Sequence, residues 1–205
     1  MNILDSVTED LNWREAEIAS IRILLSSTGV TVVQKKSLLR AAWALLYAHY
    51  EGFCKNTLML FYDFIENCGI ACRDLPLPTK TLALKGFFTD MRKMADLDLM
   101  NEIIHFENSH LAVPPQFPDV DTKSNLWPTV LVELLSAADL DTSKVVEHDL
   151  KLKTLVARRN KIAHGEHNFI EEFAYYKTYE DAVYDVMYDI ALQVDHKLGS
   201  PPFNA

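Results

Sequence analysis

Leu38-Leu39-Arg40-Ala41-Ala42-Trp43-Ala44-Leu45-Leu46-Tyr47-Ala48-His49-Tyr50-Glu51-Gly52-Phe53 contains no proline and a single glycine, and it lies inside a longer periodic segment. Leu38, Ala42, Leu45, His49, Phe53, Leu60 and Phe64 recur at three, four or seven residues. At about 3.6 residues per turn, that spacing keeps their side chains on one face. The pattern predicts one very long helix from about Gln34 to Asn67, with Gly69 supplying the left-handed residue past its end. Only six glycines occur in 205 residues. Scarce glycine and long apolar-periodic segments favour an all-α fold over the many turns of a β-sandwich.

Working outward, a first helix is expected from about Asp5 to Ser26, with Leu11, Ile18, Ile21 and Leu25 as its apolar stripe and Ser26-Ser27-Thr28-Gly29 as its stop. On the C-terminal side, residues 73–80 read as a proline-bearing connection. A helix from about Thr81 to Phe106 follows, interrupted near Gly86. Pro114, Pro115, Pro118 and Pro128 mark residues 112–128 as an excursion outside the bundle, either a cover for a groove or a plain connector. Helices resume at about Thr129 to Ala138 and Thr142 to His164. The second of these should bury Val145, Val146, Leu150, Leu152, Leu155, Val156 and Ile162. A last helix, about Ile170 to Leu198, turns Phe173, Tyr176, Val183, Met187, Ile190 and Val194 inward. Residues 1–198 form one helical domain in this reading, and 199–205 a disordered tail.

Composition bounds the function. Hydrophobic residues make up 49% of the chain, enough for one substantial core. No apolar run approaches the roughly 20 residues of a membrane span, and the N-terminus lacks a secretion signal, so a cytoplasmic protein without membrane contact is expected. Cys54, Cys68 and Cys72 lack the partners for tetrahedral zinc, and no metal or cofactor is expected. Asp181, Asp185 and Asp189 line up at i, i+4 as a solvated face. Tyr175, Tyr176, Tyr179, Tyr184 and Tyr188 read as packing residues, with base stacking as the alternative. His105 and His110 stand five apart, off register for a shared metal. No glycine-rich phosphate loop, G-x-S-x-G elbow or H-E-x-x-H pair occurs.

Charge singles out one stretch. The formal net charge is −9, yet residues 144–164 hold six Lys and Arg against Glu147 and Asp149, a local +4 that leaves −13 elsewhere. The stretch ends in Arg158-Arg159-Asn160-Lys161-Ile162-Ala163-His164-Gly165. Local charge of this kind suits an anionic ligand that the global charge repels. With about 100° per residue, Asn160 and His164 share a helix face while Arg159 points about 140° away, so one helix cannot close all three around one atom. Gly165 reads as the left-handed residue past the helix end, which puts His164 beside the last carbonyls, where the macrodipole favours imidazolium. A surface helix end complementing its own dipole has the same composition.

Arg159-Asn160-Lys161-Ile162-Ala163-His164 resembles the R-x4-H signature of the HEPN superfamily (higher eukaryotes and prokaryotes nucleotide-binding domain). Arg40 to Phe53, Thr122-Lys123-Ser124-Asn125-Leu126 and Ile162-Ala163-His164-Gly165-Glu166 look like the MAE-type branch of HEPN-like nucleases, over about Leu11 to Leu198. The resemblance implies a HEPN-like helical bundle and a metal-independent ribonuclease that works as a homodimer, often a toxin or antiviral effector. Its expected partners are RNA and an antitoxin or defence-system protein. It assigns His164 as the catalytic histidine, Arg159 as the motif arginine and Asn160 as the polar position behind it. Arg158, Lys161 and His167 flank these as substrate-binding candidates. Glu51 is an auxiliary candidate, its alternative being a structural hydrogen bond. His49, inside the apolar stripe, reads as a core histidine. Where the branch silenced by adenylylation carries a tyrosine two residues past the histidine, this chain has Glu166, which argues against control by a nucleotidyltransferase.

Metal-free RNA cleavage needs a base for the 2′-OH proton, cations for the phosphate oxygens and an acid for the departing 5′-oxygen. One motif offers one imidazole; two motifs about a twofold axis offer two imidazoles and two guanidiniums. The reading from a different class is a noncatalytic helical domain that uses the same cationic patch to bind RNA or a partner protein.

Overall fold

A computed structural model describes residues 3–166 and 172–204. All regular structure among them is helical: α1 Ile3–Ser26, α2 Val32–Asn67, a 3-10 turn Cys72–Asp74, α3 Leu77–Ala83, α4 Lys85–Met91, α5 Asp96–Phe106, a π turn Glu107–Leu111, α6 Pro128–Ala137, α7 Ser143–Glu147, α8 Asp149–Ala163 and α9 Phe173–Leu198. None of these helices is long and apolar enough to cross a membrane.

The long second helix starts two residues before the expected Gln34 because Thr31 caps it. Thr31 Oγ1 accepts the Gln34 N–H, and the Gln34 side chain accepts the Thr31 N–H. That reciprocal box satisfies two of the donors a helix start leaves open. At the other end Gly69 takes φ +82°, as its position past the helix requires. Helix α2 is the axis of the molecule, with α1, α8 and α9 packed around it. Trp43, Leu46, Tyr47, Tyr50, Phe53, Leu58, Phe61 and Ile65 are all fully buried. Each large apolar side chain removed from water in this way contributes about 1.5–3 kcal/mol.

Helix α1 lays Val7, Leu11, Ile18 and Leu25 against α2, and in the same seam, between Leu11 and Ile18, stands buried Arg14. Its guanidinium pairs with Asp10 at 3.0 Å, lies 4.5 Å from the Trp13 ring centroid, and reaches the His49 carbonyl at 3.5 Å. Gly52 makes this fit: a Cβ there would stand 2.8 Å from Arg14 Nη1. Glycine inside a helix costs about 0.5–1 kcal/mol relative to alanine, and here the missing carbon is the space the cation occupies. His49 is buried beside it, edge-on to Trp13 at 5.2 Å, with Nε2 3.0 Å from Glu17 Oε2 but off hydrogen-bond alignment. It is a core histidine.

Four expectations need correction. The connection expected over residues 73–80 already holds the start of α3, and the helix expected from Thr81 to Phe106 is interrupted at Leu84, close to the expected Gly86, and again at residues 92–95, so α3, α4 and α5 are separate short helices. The helix expected from Thr142 to His164 breaks at His148, whose φ of −98° and ψ of 10° leave the helical range. That break moves the phase of the apolar pattern, so Val145, Leu152, Leu155 and Val156 are buried while Val146 and Leu150 are exposed. Residues 112–127 lack a helix, but they pack onto the bundle: Pro115, Val120 and Leu126 are buried and Phe117 stacks on Tyr62 at 4.6 Å. The tail is not free either. Residues 200–204 turn back, and Phe203, 8% exposed, meets Phe61 at 6.2 Å, so burial of an apolar ring helps hold the tail on the core.

The last helix starts at Phe173 behind Glu172; the residues expected at its beginning, and His167, lie outside the described residues. Tyr176, Val183, Met187, Ile190 and Val194 face inward as expected, and Phe173 is partly buried. Tyr176 and Tyr179 are buried around Trp43, while Tyr188 is exposed.

Candidate functional site

Helix α8 carries the cationic stretch because Leu152, Leu155 and Val156 hold one side of it in the core. Its end is a Schellman turn: the Glu166 N–H donates to Lys161 O at 3.0 Å and the Gly165 N–H to Ile162 O at 3.1 Å. Gly165 has φ +74°, and open space surrounds the place of a Cβ. Backbone conformation, and not crowding, is what requires glycine there. His164 occupies the cap position with φ −84° and ψ 8°, its N–H bonded to Asn160 O and its side chain exposed. Arg40, from the start of α2, donates to Glu166 O at 2.8 Å and ties the turn to the bundle.

Arg159 points the other way, into a polar notch. Its Nη1 donates to Asn160 Oδ1 at 2.9 Å and to Asn125 Oδ1 at 3.0 Å, and its guanidinium lies 4.4 Å from the Tyr47 ring centroid. The Tyr47 hydroxyl accepts the Leu126 N–H at 2.9 Å, and the Glu51 carboxylate is near enough to act on it electrostatically. Burial pushes this hydroxyl up to about 12, the Leu126 N–H and the Arg159 charge opposing and Glu51 adding to the rise, so it stays a neutral donor. Glu51 thus stands near the hydroxyl of the tyrosine whose ring carries the Arg159 guanidinium.

Asn125 was not among the expected site residues, although its segment carries part of the resemblance. Lys123 and Ser124, just before it, both adopt positive φ, 52° and 68°. Left-handed backbone at a non-glycine residue costs roughly 1–2 kcal/mol, and two in succession are kept only where the surroundings over-determine them. Here the Lys123 N–H donates to Asp121 Oδ1 and the Asn125 N–H to Thr122 O, while Leu126 is buried and bonded to Tyr47. The excursion thus delivers one amide oxygen to Arg159, which no periodicity announces.

Arg158 stands apart from that notch. Its guanidinium is 4.8 Å from the Trp43 ring and 5.1 Å from the Tyr175 ring, with Nη2 3.4 Å from the Tyr175 hydroxyl. It joins α8 to α2 and α9 by cation–π contact. Lys161 is exposed beside His164. The structure therefore brings Arg159, Asn160, Asn125, Tyr47 and Glu51 together, leaves His164 and Lys161 on the open end of the helix, and seats Arg158 among aromatic rings. No contact joins Arg159 to His164 within the described residues of one chain, as their helical spacing implies.

One group among the described residues has metal-ligand composition: Glu147, His148 and Asp185, whose ligand atoms lie within 4.8 Å of one another. The Lys144 ammonium already bridges it, 3.1 Å from Glu147 and 3.0 Å from Asp185, and His148 Nε2 is 2.8 Å from the same Asp185 oxygen. The His148 contact first and the lysine next hold the Asp185 carboxyl below the usual carboxylate range. The cluster is a mixed-charge pin between α7 and α9, 16 residues along the chain from His164 and thus roughly 24 Å away along a helix.

The family model described as HEPN_MAE_28990-like HEPN matches residues 3–203. No curated protein and no solved structure matches the chain.

Proposed function

Because this chain belongs to the HEPN_MAE_28990-like HEPN family, whose membership indicates a nuclease-like or RNA-related role, we propose that it is a metal-independent endoribonuclease. It acts as a homodimer with a composite site, as a toxin or antiviral effector. One observation carries this reading: Arg159 is locked by two amide oxygens and an aromatic face while the His164 imidazole stands exposed at the capped end of the same helix.

A locked arginine suits a phosphate. Nη1 is used by Asn125 and Asn160, and no partner among the described residues takes Nε or Nη2, so a planar fork of donors is free for phosphate oxygens. Two copies related by a twofold axis bring two such forks and two imidazoles to one phosphodiester. One His164 takes the 2′-OH proton as the O2′–P bond forms; His164 of the partner subunit gives a proton to O5′ as the P–O5′ bond breaks. The products are a 2′,3′-cyclic phosphate and a 5′-hydroxyl. Arg159 and Asn160 stabilise the charge on the non-bridging oxygens, and Lys161 with His167 holds flanking phosphates. DNA, without the 2′-OH, survives.

The test is end-labelled RNA incubated with purified protein in EDTA, beside His164→Ala and Arg159→Ala. Cyclic-phosphate ends are expected with wild type, and losses of roughly 10²–10⁴-fold with either variant. Wild-type cleavage by a folded His164→Ala protein removes the mechanism. Intact RNA that is nonetheless bound through the patch would leave a noncatalytic binding domain.

A further inference from the structure

Arg40 stands outside the cationic window of residues 144–164, yet the fold brings it to the same end of α8. It and Tyr47 are seven residues apart on α2, about two turns, so they share the helix face that meets α8. Tyr47 carries Arg159 on its ring, and Arg40 reaches the turn just past His164. The two guanidiniums thus bracket the last turns of α8, with their anchoring points roughly 10 Å apart along α2.

The two cations are also held alike. Arg14, Arg22 and Arg73 each pair with a carboxylate, of Asp10, Glu180 and Glu107. Arg40 and Arg159 are fixed by neutral oxygens instead, Arg40 by the Glu166 carbonyl at 2.8 Å and Arg159 by two amide oxygens. A carboxylate cancels the charge of its partner, whereas a carbonyl orients the guanidinium and leaves its charge to act on an anion. No partner among the described residues takes Arg40 Nε or Nη2, and the residue is half-buried, so a restrained fork of donors stays unused. In a chain of net charge −9, two such cations make this end the place where a polyanion is attracted and not repelled.

We propose that Arg40 is a second RNA-contacting arginine, which binds a phosphate flanking the one held by Arg159 and so directs the strand across the end of α8. The inference rests on the RNA-binding part of the proposed function and is independent of cleavage. A helix C-terminus also attracts a cation on its own account. A staple of that kind needs the bond to Glu166 and not the charge, and the experiment separates the two.

The test is fluorescence anisotropy with a labelled single-stranded RNA whose 2′-hydroxyls are all replaced by 2′-O-methyl groups, so that it is bound without being cut. For a single strand, each neutralised phosphate contributes about 0.7 to the slope of log affinity against log salt. Arg40→Gln keeps a donor for the Glu166 carbonyl and loses the charge. It should flatten that slope by about 0.7 or more and weaken binding at least fivefold at about 50 mM salt, with circular dichroism unchanged. Arg40→Lys should keep the wild-type slope, and Arg92→Gln, at an exposed position after α4, should match wild type throughout. A second readout on the wild type holds even if Arg40→Gln fails to fold: the Arg40 Nε–H resonance, identified by its absence from Arg40→Lys, should shift when the analogue is added. Equal slopes for wild type and a folded Arg40→Gln, or a resonance that ignores the RNA, overturns the proposal and leaves Arg40 as a staple of the helix end. So does a wild type that does not bind the analogue. The expected slopes beside RNA that is never cut would keep Arg40 as a phosphate contact and remove only the nuclease reading.

Discussion

Arg159 Nη1 donates to Asn125 Oδ1 at 3.0 Å, joining the motif helix to a non-helical segment 34 residues earlier in the chain. The bond turns a flexible guanidinium into a fixed one, and the turn that makes it is held in an unfavourable backbone conformation. Hydrogen bonds to charged groups contribute about 1.5–3 kcal/mol.

Asn125→Ala should therefore lower RNA cleavage by about tenfold or more and lower the unfolding midpoint as well. Asn125→Asp should keep the contact and retain more activity than the alanine variant. Matching rates for wild type and Asn125→Ala would show that Arg159 needs no such support.

Gly52→Ala separates packing from propensity. Alanine is better than glycine in a helix by about 0.8–1 kcal/mol, yet its Cβ would stand 2.8 Å from Arg14 Nη1. Displacing a paired, buried cation outweighs the propensity gain, and a net loss of about 1–3 kcal/mol is expected. Urea unfolding decides it: a raised midpoint would mean that Arg14 can move aside freely.

Gly165→Ala tests the helix end. With φ +74° and open space around it, the substitution meets only backbone strain, about 1–2 kcal/mol. The same strain shifts the cap that holds His164, so cleavage should fall more than stability does. Unchanged thermal unfolding and unchanged cleavage together would contradict the geometry of the cap.

The pH response of stability should include a contribution from His49. Burial, opposed by Glu17 and aided by Arg14, lowers its folded pKa below the ordinary 6.5. The unfolded chain therefore binds more protons between 6.5 and the lowered value, and stability is lost as pH falls through that window. Urea midpoints at pH 7.5, 6.5 and 5.5 should decline more steeply for wild type than for His49→Gln. Parallel slopes for the two proteins would assign the decline to other groups.

Much of the architecture was legible because burial leaves a period. Leu38 through Phe64 announced α2, Leu11, Ile18 and Leu25 announced α1, and the alternation around Leu152 and Val156 announced α8. Gly69 and Gly165 marked helix ends through a backbone requirement that is local. Where the pattern misled, a local break changed its phase: at His148, Val146 and Leu150 went to solvent. Phe203 in the tail was misjudged because its neighbours read as disordered and its partner, Phe61, is far away in sequence.

By itself the sequence determined the helical class, the central helix and the cationic end of α8, since helical period and local charge depend only on near neighbours. The tertiary structure alone decided that Arg159 is clamped by Asn125 and Tyr47, that Arg158 sits among aromatic rings, and that Gly52 makes room for Arg14. Those contacts join residues 34 to 115 positions apart. A chain carries no periodic trace of such pairings, because they depend on how whole helices cross rather than on which residue follows which.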